Sequence, residues 1–302
     1  MKEEQLLDNT LGILEKDGAA KAYEYILLNK KLLDDYGSQL YNFLYCLSAS
    51  IGLKDDSLAW IKEAVIDKGY WYRPSVFEDS DLDSIRNEAV FAEYKKISDA
   101  RYYEASKAAS TLCTWKKAKA AKLALVLHGN QQNMFAGREY WQFLKNEGYQ
   151  IEYVQSRDVD SYMLYRWEES SKPQLDKIIG QIPWDEYKSR ALCGFSAGCN
   201  EILKTLLSTP VLCEEIILLS PWIPIIDENL EKLAAVIEKV RIRIICGEND
   251  HDCLPYAKRL AKEMAKKGAD CTLQVIGGLG HSYPSESYCP STHSNAHKTN
   301  SL

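Results

Sequence analysis

The chain has 302 residues and a formal net charge of −6, with 46% apolar and 26% charged residues. This is the composition of a soluble globular protein of about two domains, and its acidic balance gives nucleic acid or an anionic membrane no electrostatic reason to bind. No stretch approaches a membrane span, and Met1-Lys2-Glu3-Glu4-Gln5 leads into an amphipathic segment, not the apolar centre of a signal peptide. From the N-terminus the apolar pattern is helical. Leu7, Leu11 and Leu14 recur at helix spacing, as do Ala22, Tyr23, Ile26 and Leu27. Leu40, Phe43, Leu44 and Leu47 follow, then Leu58, Ile61 and Val65. Breaks at Asp17-Gly18, Asp35-Tyr36-Gly37 and Gly52 to Asp56 divide the pattern into two helical hairpins.

The two hairpins follow one another at roughly the period of a tetratricopeptide repeat. The second, from Tyr41 through Ala59-Trp60-Ile61 to Gly69-Tyr70, resembles such a repeat, and Asp81 to Phe91 resembles the segment that closes these arrays. The resemblance covers roughly residues 20–95. It implies a protein partner on a concave surface; capping the next domain, shaping its pocket or self-association stands beside that reading. A polar helix from Lys95 to about Ser110 joins the halves, and Lys116 to Lys122 is a solvated approach to the first clear strand. The expected organisation is a helical domain over 1–118, an α/β domain over 119–284 and a polar tail over 285–302.

Past residue 119 the pattern changes to short apolar runs ending in turns. Leu123 to Leu127 is a strand that ends in His128-Gly129-Asn130-Gln131. A strand near Ile151 to Val154 opens a long loop, Ser156 to Trp167. Arg190 to Cys193 is a strand that runs into Gly194-Phe195-Ser196-Ala197-Gly198 and then a helix, with the serine at the apex. Glycine at the flanks leaves room for the serine backbone to approach both neighbouring elements. Glu215 to Leu219 is another strand, followed by Ser220-Pro221-Trp222. Arg241 to Cys246 is a buried strand that ends in Gly247-Glu248-Asn249-Asp250, and Cys271 to Ile276 precedes Gly277 to Pro284 with His281 inside.

A nucleophilic serine needs a base, and the base needs an orienting acid. His281 lies in a loop past a late strand, and Asp250 lies just past another, with Asp252 as its rival in the same loop. Acyl transfer also needs two N–H groups aimed at the developing oxyanion. Ala197 supplies one, and the turn after His128-Gly129 supplies the other, at Asn130 with Gln131 as alternative. With these segments in this order, residues 119–284 resemble the α/β-hydrolase superfamily, and their size is similar to its carboxylesterase and dienelactone-hydrolase-like members. The resemblance implies an α/β fold, with a doubly wound, mostly parallel sheet of α/β-hydrolase type, here preceded by an all-α helical-hairpin domain. It also implies a triad of Ser196, His281 and Asp250, and a His128 that supports its loop instead of moving protons.

Gln131, Tyr162, Trp167, Phe195 and Trp222 are the expected substrate-binding residues, since they flank the nucleophile or lie past strand ends, where ligands bind in open α/β sheets. The expected activity is cleavage of a small carboxylic ester or thioester through an acyl-enzyme, without cofactor. A serine peptidase with the same triad and a non-catalytic helical-repeat protein on a hydrolase-like scaffold are the alternatives. Adjacent His251 and Asp252 do not face one ion, and no H-x-x-x-H or C-x-x-C spacing completes a zinc shell, so no metal is expected. The nine cysteines are scattered and odd in number, which fits free thiols in a cytoplasmic protein. Ser285 to His297 is polar and rich in turn formers where the superfamily normally has a final helix, and it reads as a disordered tail.

Overall fold

The computed structural model describes residues 1–117, 120–208 and 213–284. The expected domain boundary at 118/119 and the expected tail over 285–302 lie outside the described residues. Helices α1 (Glu3–Asp17), α2 (Ala19–Asn29), α3 (Ser38–Ser50) and α4 (Lys54–Lys62) make the two hairpins, the first turning at Gly18 with φ 85°. Their apolar stripes meet in one core around Leu6, Ile26, Leu44, Tyr45 and Ile61. Helix α5 (Ala89–Ala108) starts earlier than its polar pattern suggests, because Phe91 docks into that same core. Between α4 and α5 the chain makes short 3-10 turns at Pro74–Glu78 and Ser80–Leu82.

The remainder is a seven-stranded sheet in the order β1-β3-β2-β6-β7-β8-β9. Its strands are β1 (Leu112–Cys113), β2 (Lys122–Leu127), β3 (Tyr149–Gln155), β6 (Ser189–Phe195), β7 (Glu215–Leu219), β8 (Arg241–Gly247) and β9 (Cys271–Ile276). All pairs are parallel except the short edge strand β1, which runs antiparallel to β3. Residues alternate between two faces. Leu123, Leu125, Leu127, Ile216 and Ile244 face α7 (Lys172–Gln181), α8 (Ala197–Ser208), α9 (Ile226–Ile237) and α10 (Leu254–Lys266). Ala124, Val126, Cys193 and Ile217 face Tyr140, Trp141 and α6 (Gln142–Asn146). Cover on both faces explains why the central strands read as unbroken apolar runs. Among the described residues, no helix is long and apolar enough to cross a membrane.

The segment 156–167, expected as a loop, instead holds a small antiparallel hairpin of β4 (Asp158–Ser161) and β5 (Leu164–Arg166). Its residues are too polar to signal a strand, and the helical block supplies their burial. Tyr72 bridges to Ser161, and the buried Asp160 carboxylate pairs with Arg73 at 3.0 Å.

Candidate active site

In a parallel sheet every strand delivers its following loop to the same edge, so the turns after β2, β6, β8 and β9 converge. The chain steps from β2 to β3 and then back across β2 to β6, which opens a crevice where the loops after β2 and β6 diverge. Ser196 sits there at the apex of a strand–turn–helix, at φ 50°. This left-handed backbone is uncommon outside glycine, and it is held by Ser196 N–H donating to Leu219 O and Cys199 N–H to Ser196 O, each at 3.0 Å. The flanking glycines meet the predicted crowding. A Cβ on Gly198 would lie 2.5 Å from His128 O, and one on Gly194 would lie 2.8 Å from Cys199 N.

His281 Nε2 lies 2.9 Å from Ser196 Oγ, and His281 Nδ1 lies 2.8 Å from Asp250 Oδ2. Three side chains from β6, β8 and β9 thus form one hydrogen-bonded chain. Asp250 is 2% exposed, and its Oδ1 accepts the Cys253 N–H at 3.1 Å. Burial alone raises such a carboxyl, but the hydrogen bond and charge of His281 and the Cys253 N–H hold it below its ordinary range. Asp252 and His251 are exposed in the same loop.

His128 is buried and stacks on Trp167 at 4.9 Å. Its Nδ1 lies 2.6 Å from Gly129 O, while Nε2 accepts the Ser156 N–H at 3.1 Å. Those partners fix a neutral ring with the proton on Nδ1, and burial pushes its pKa down to about 4. The loop after β2 lies against the nucleophile, since a Cβ on Gly129 would stand 3.1 Å from Ser196 Cβ. Ala197 N–H opens α8 and so has no acceptor within the helix. Asn130 Oδ1 accepts the Trp167 N–H at 2.9 Å.

The five expected substrate contacts separate in space. Trp167 and Trp222 line a cavity of about 500 Å³ together with Ala197, Asn200 and Ile225. Phe195 is buried, stacked on Tyr283 at 4.2 Å and 5.0 Å from the His281 ring. Tyr162 stacks on Tyr70 of the helical block at 4.8 Å, and Gln131 Oε1 accepts from Gln39 of α3. A second, larger groove runs from α1 to Asp250 and His281, with Asp8 on its wall. Burial pushes the Asp8 carboxyl up to about 6, with His281 opposing and Glu4 and Asp250 adding to the rise.

Three contributors carry no sequence signal. Gln132 Oε1 accepts both the Gly129 N–H at 3.0 Å and the Tyr283 hydroxyl at 3.1 Å, joining the loop after β2 to the segment bearing His281. Cys253 Sγ lies 3.5 Å from His281 Nδ1. With Asp250 these groups present three ligand-type atoms within 4.8 Å of one another. Neither a spacing nor a periodicity marks such neighbours, because they meet only once β8 and β9 are paired.

Residues 2–106 match the family model described as A/B hydrolase-like, N-terminal domain. No curated protein matches the chain significantly. The crystal structure of an uncharacterized protein from Bacillus cereus is 27% identical, with 95% of each chain covered and a TM-score of 0.52. Esterase PE8 is 22% identical over 59% of this chain and 93% of its own, with a TM-score of 0.46. Acyl-protein thioesterase 2 from Zea mays is 16% identical over 59% of this chain and 94% of its own, with a TM-score of 0.44. By its strand order and its strand–turn–helix apex the sheet has the α/β-hydrolase fold, and the helical block before it matches the A/B hydrolase-like N-terminal domain.

Proposed function

We propose that the protein is a serine hydrolase that cleaves a carboxylic ester or thioester of a small substrate through an acyl-enzyme. The observation that carries this reading is the unbroken chain from Ser196 Oγ through His281 to the buried Asp250 carboxylate, at 2.9 and 2.8 Å. In it, His281 takes the serine proton as the oxygen attacks the carbonyl carbon, and Asp250 stabilises the imidazolium and fixes its tautomer. The tetrahedral oxyanion accepts from the N–H groups of Ala197 and Asn130. His281 returns the proton to the leaving oxygen or sulfur, and water then attacks the acyl carbon with His281 as base, releasing the acid and restoring Ser196.

A cavity of about 500 Å³ beside Ala197, walled by Trp167 and Trp222, suits a small acyl or alcohol group. The eight cysteines of the described residues are free thiols, which supports a cytoplasmic setting. For the helical block we propose a supporting role at this site, ahead of the protein-partner or self-association role that a tetratricopeptide-like reading suggests. Labelling with a fluorophosphonate, followed by mass spectrometry of the modified peptide, tests the reading. A phosphonyl group on Ser196 is expected. Folded protein that takes no label points to the non-catalytic scaffold, and preference for peptide over ester substrates points to the peptidase.

A further inference from the structure

The loop of the proposed oxyanion donor Asn130 is held from two sides. On the sheet side, Gln132 ties it to Tyr283. On the other side its contacts lead to the helical block. Gln131 stands at φ 57°, which a non-glycine residue keeps only where its surroundings hold it. Its side chain accepts from Gln39 Nε2 at 3.0 Å. Gln132 O accepts the Tyr165 N–H at 2.8 Å, and Asn133 Nδ2 donates to Met163 O at 2.9 Å, so the loop also leans on the β4–β5 hairpin.

That hairpin is gripped in turn. Ser38 Oγ donates to Tyr162 O and lies 3.1 Å from Ser161 Oγ. Tyr162 N–H donates to Trp71 O at 2.9 Å, and Arg73 N–H to Asp160 O at 2.8 Å. Two adjacent residues at the start of α3, Ser38 and Gln39, therefore hold the hairpin and the loop together. We infer that the helical block positions the oxyanion side of the site, with Gln39 acting through Gln131 and Ser38 acting through the hairpin.

Oxyanion donors work only when aimed at the charge that develops, and an error of about 1 Å costs on the order of 100-fold in rate. Ser196, Asp250 and His281 lie in the turns after β6, β8 and β9 and are joined to one another without these contacts. Loosening the loop thus weakens binding of the transition state and leaves ground-state binding nearly untouched. The effect on rate rests on the serine-hydrolase reading; the contacts themselves do not.

The test uses the full chain, Gln39→Ala and the double variant Ser38→Ala/Tyr162→Ala, with two readouts. Amide hydrogen exchange over residues 129–133 reads the order of the loop, and exchange in the sheet strands serves as the folding control. Phosphonylation rate and p-nitrophenyl acetate kinetics read the chemistry. We expect exchange over 129–133 to quicken several-fold, phosphonylation and kcat to fall about tenfold, and KM to stay within about twofold. Gln39→Lys keeps a donor facing Gln131 Oε1 and should recover most of the loss. Unchanged exchange over 129–133 in both variants overturns the coupling, and faster exchange with unchanged phosphonylation overturns the positioning role. Faster exchange in variants of a wild type that takes no phosphonate upholds the coupling and overturns the hydrolase reading instead.

Discussion

Ser196 gains its proposed reactivity from two neighbours, and each substitution along that chain has a distinct signature. Ser196→Ala should lower kcat by about four or more powers of ten with an unchanged denaturation midpoint; wild-type turnover from the purified variant defeats the assignment. Asp250→Asn keeps an acceptor for the Cys253 N–H but loses the charge that stabilises the imidazolium. It should cost about three to four powers of ten in kcat and little stability. His128 makes a different claim. Its folded pKa is about 4 against an ordinary 6.5, so between those values the unfolded chain binds a proton that the folded chain refuses. Stability from this ring is complete above pH 6.5, falls as pH drops through the window and levels off below about 4. The loss is roughly 3 kcal/mol. In urea titrations at pH 7 and pH 4, His128→Asn should flatten that part of the difference. Ser196, Asp250 and His281 were legible in the sequence because each follows an apolar run that reads as a strand end. Gln132 and Cys253 were not, because their roles depend on which loops happen to touch.

The strands were legible element by element. The apolar run Arg190 to Cys193 predicts β6, which spans Ser189–Phe195, and the alternating run Cys271 to Ile276 coincides with β9, Cys271–Ile276. Burial on both faces leaves such strands few polar positions, so composition alone betrays them. The hairpin Asp158–Ser161 and Leu164–Arg166 escaped for the opposite reason. Asp160 and Ser161 are each 4% exposed, yet both are polar, and partners from a distant part of the chain bury them. The strand–turn–helix apex carries its own prediction. Gly198→Ala places a methyl 2.5 Å from His128 O and 2.6 Å from Leu127 O, both backbone atoms that have little freedom to retreat. It should cost about 3 kcal/mol in a denaturant titration, whereas Gly180→Ala, with nothing within 4 Å, should cost none.

At the scale of the molecule, the helical core around Leu44 and Tyr45 is joined to the sheet, which carries an apolar core on each face, across a polar seam. Between them Asp160 is nearly sealed from solvent beside Arg73 at 3.0 Å and Arg166 at 3.9 Å. Burial raises its carboxyl, and the two guanidinium groups pull it back. Arg73→Ala leaves that carboxylate with a weaker partner and should cost about 2 kcal/mol, discounted because Arg73 is partly exposed; a midpoint equal to wild type in urea counts against the seam. The parallel strand order has a temporal consequence. Ser196 and His281 are 85 positions apart along the chain, and they meet only after the last strand has docked at its edge, a late event for so non-local a topology. A half-assembled chain owns the hydroxyl without its imidazole. During refolding, the fraction of molecules able to capture a phosphonate should therefore lag behind recovery of helical signal, and should count finished sheets, not collapsed chains.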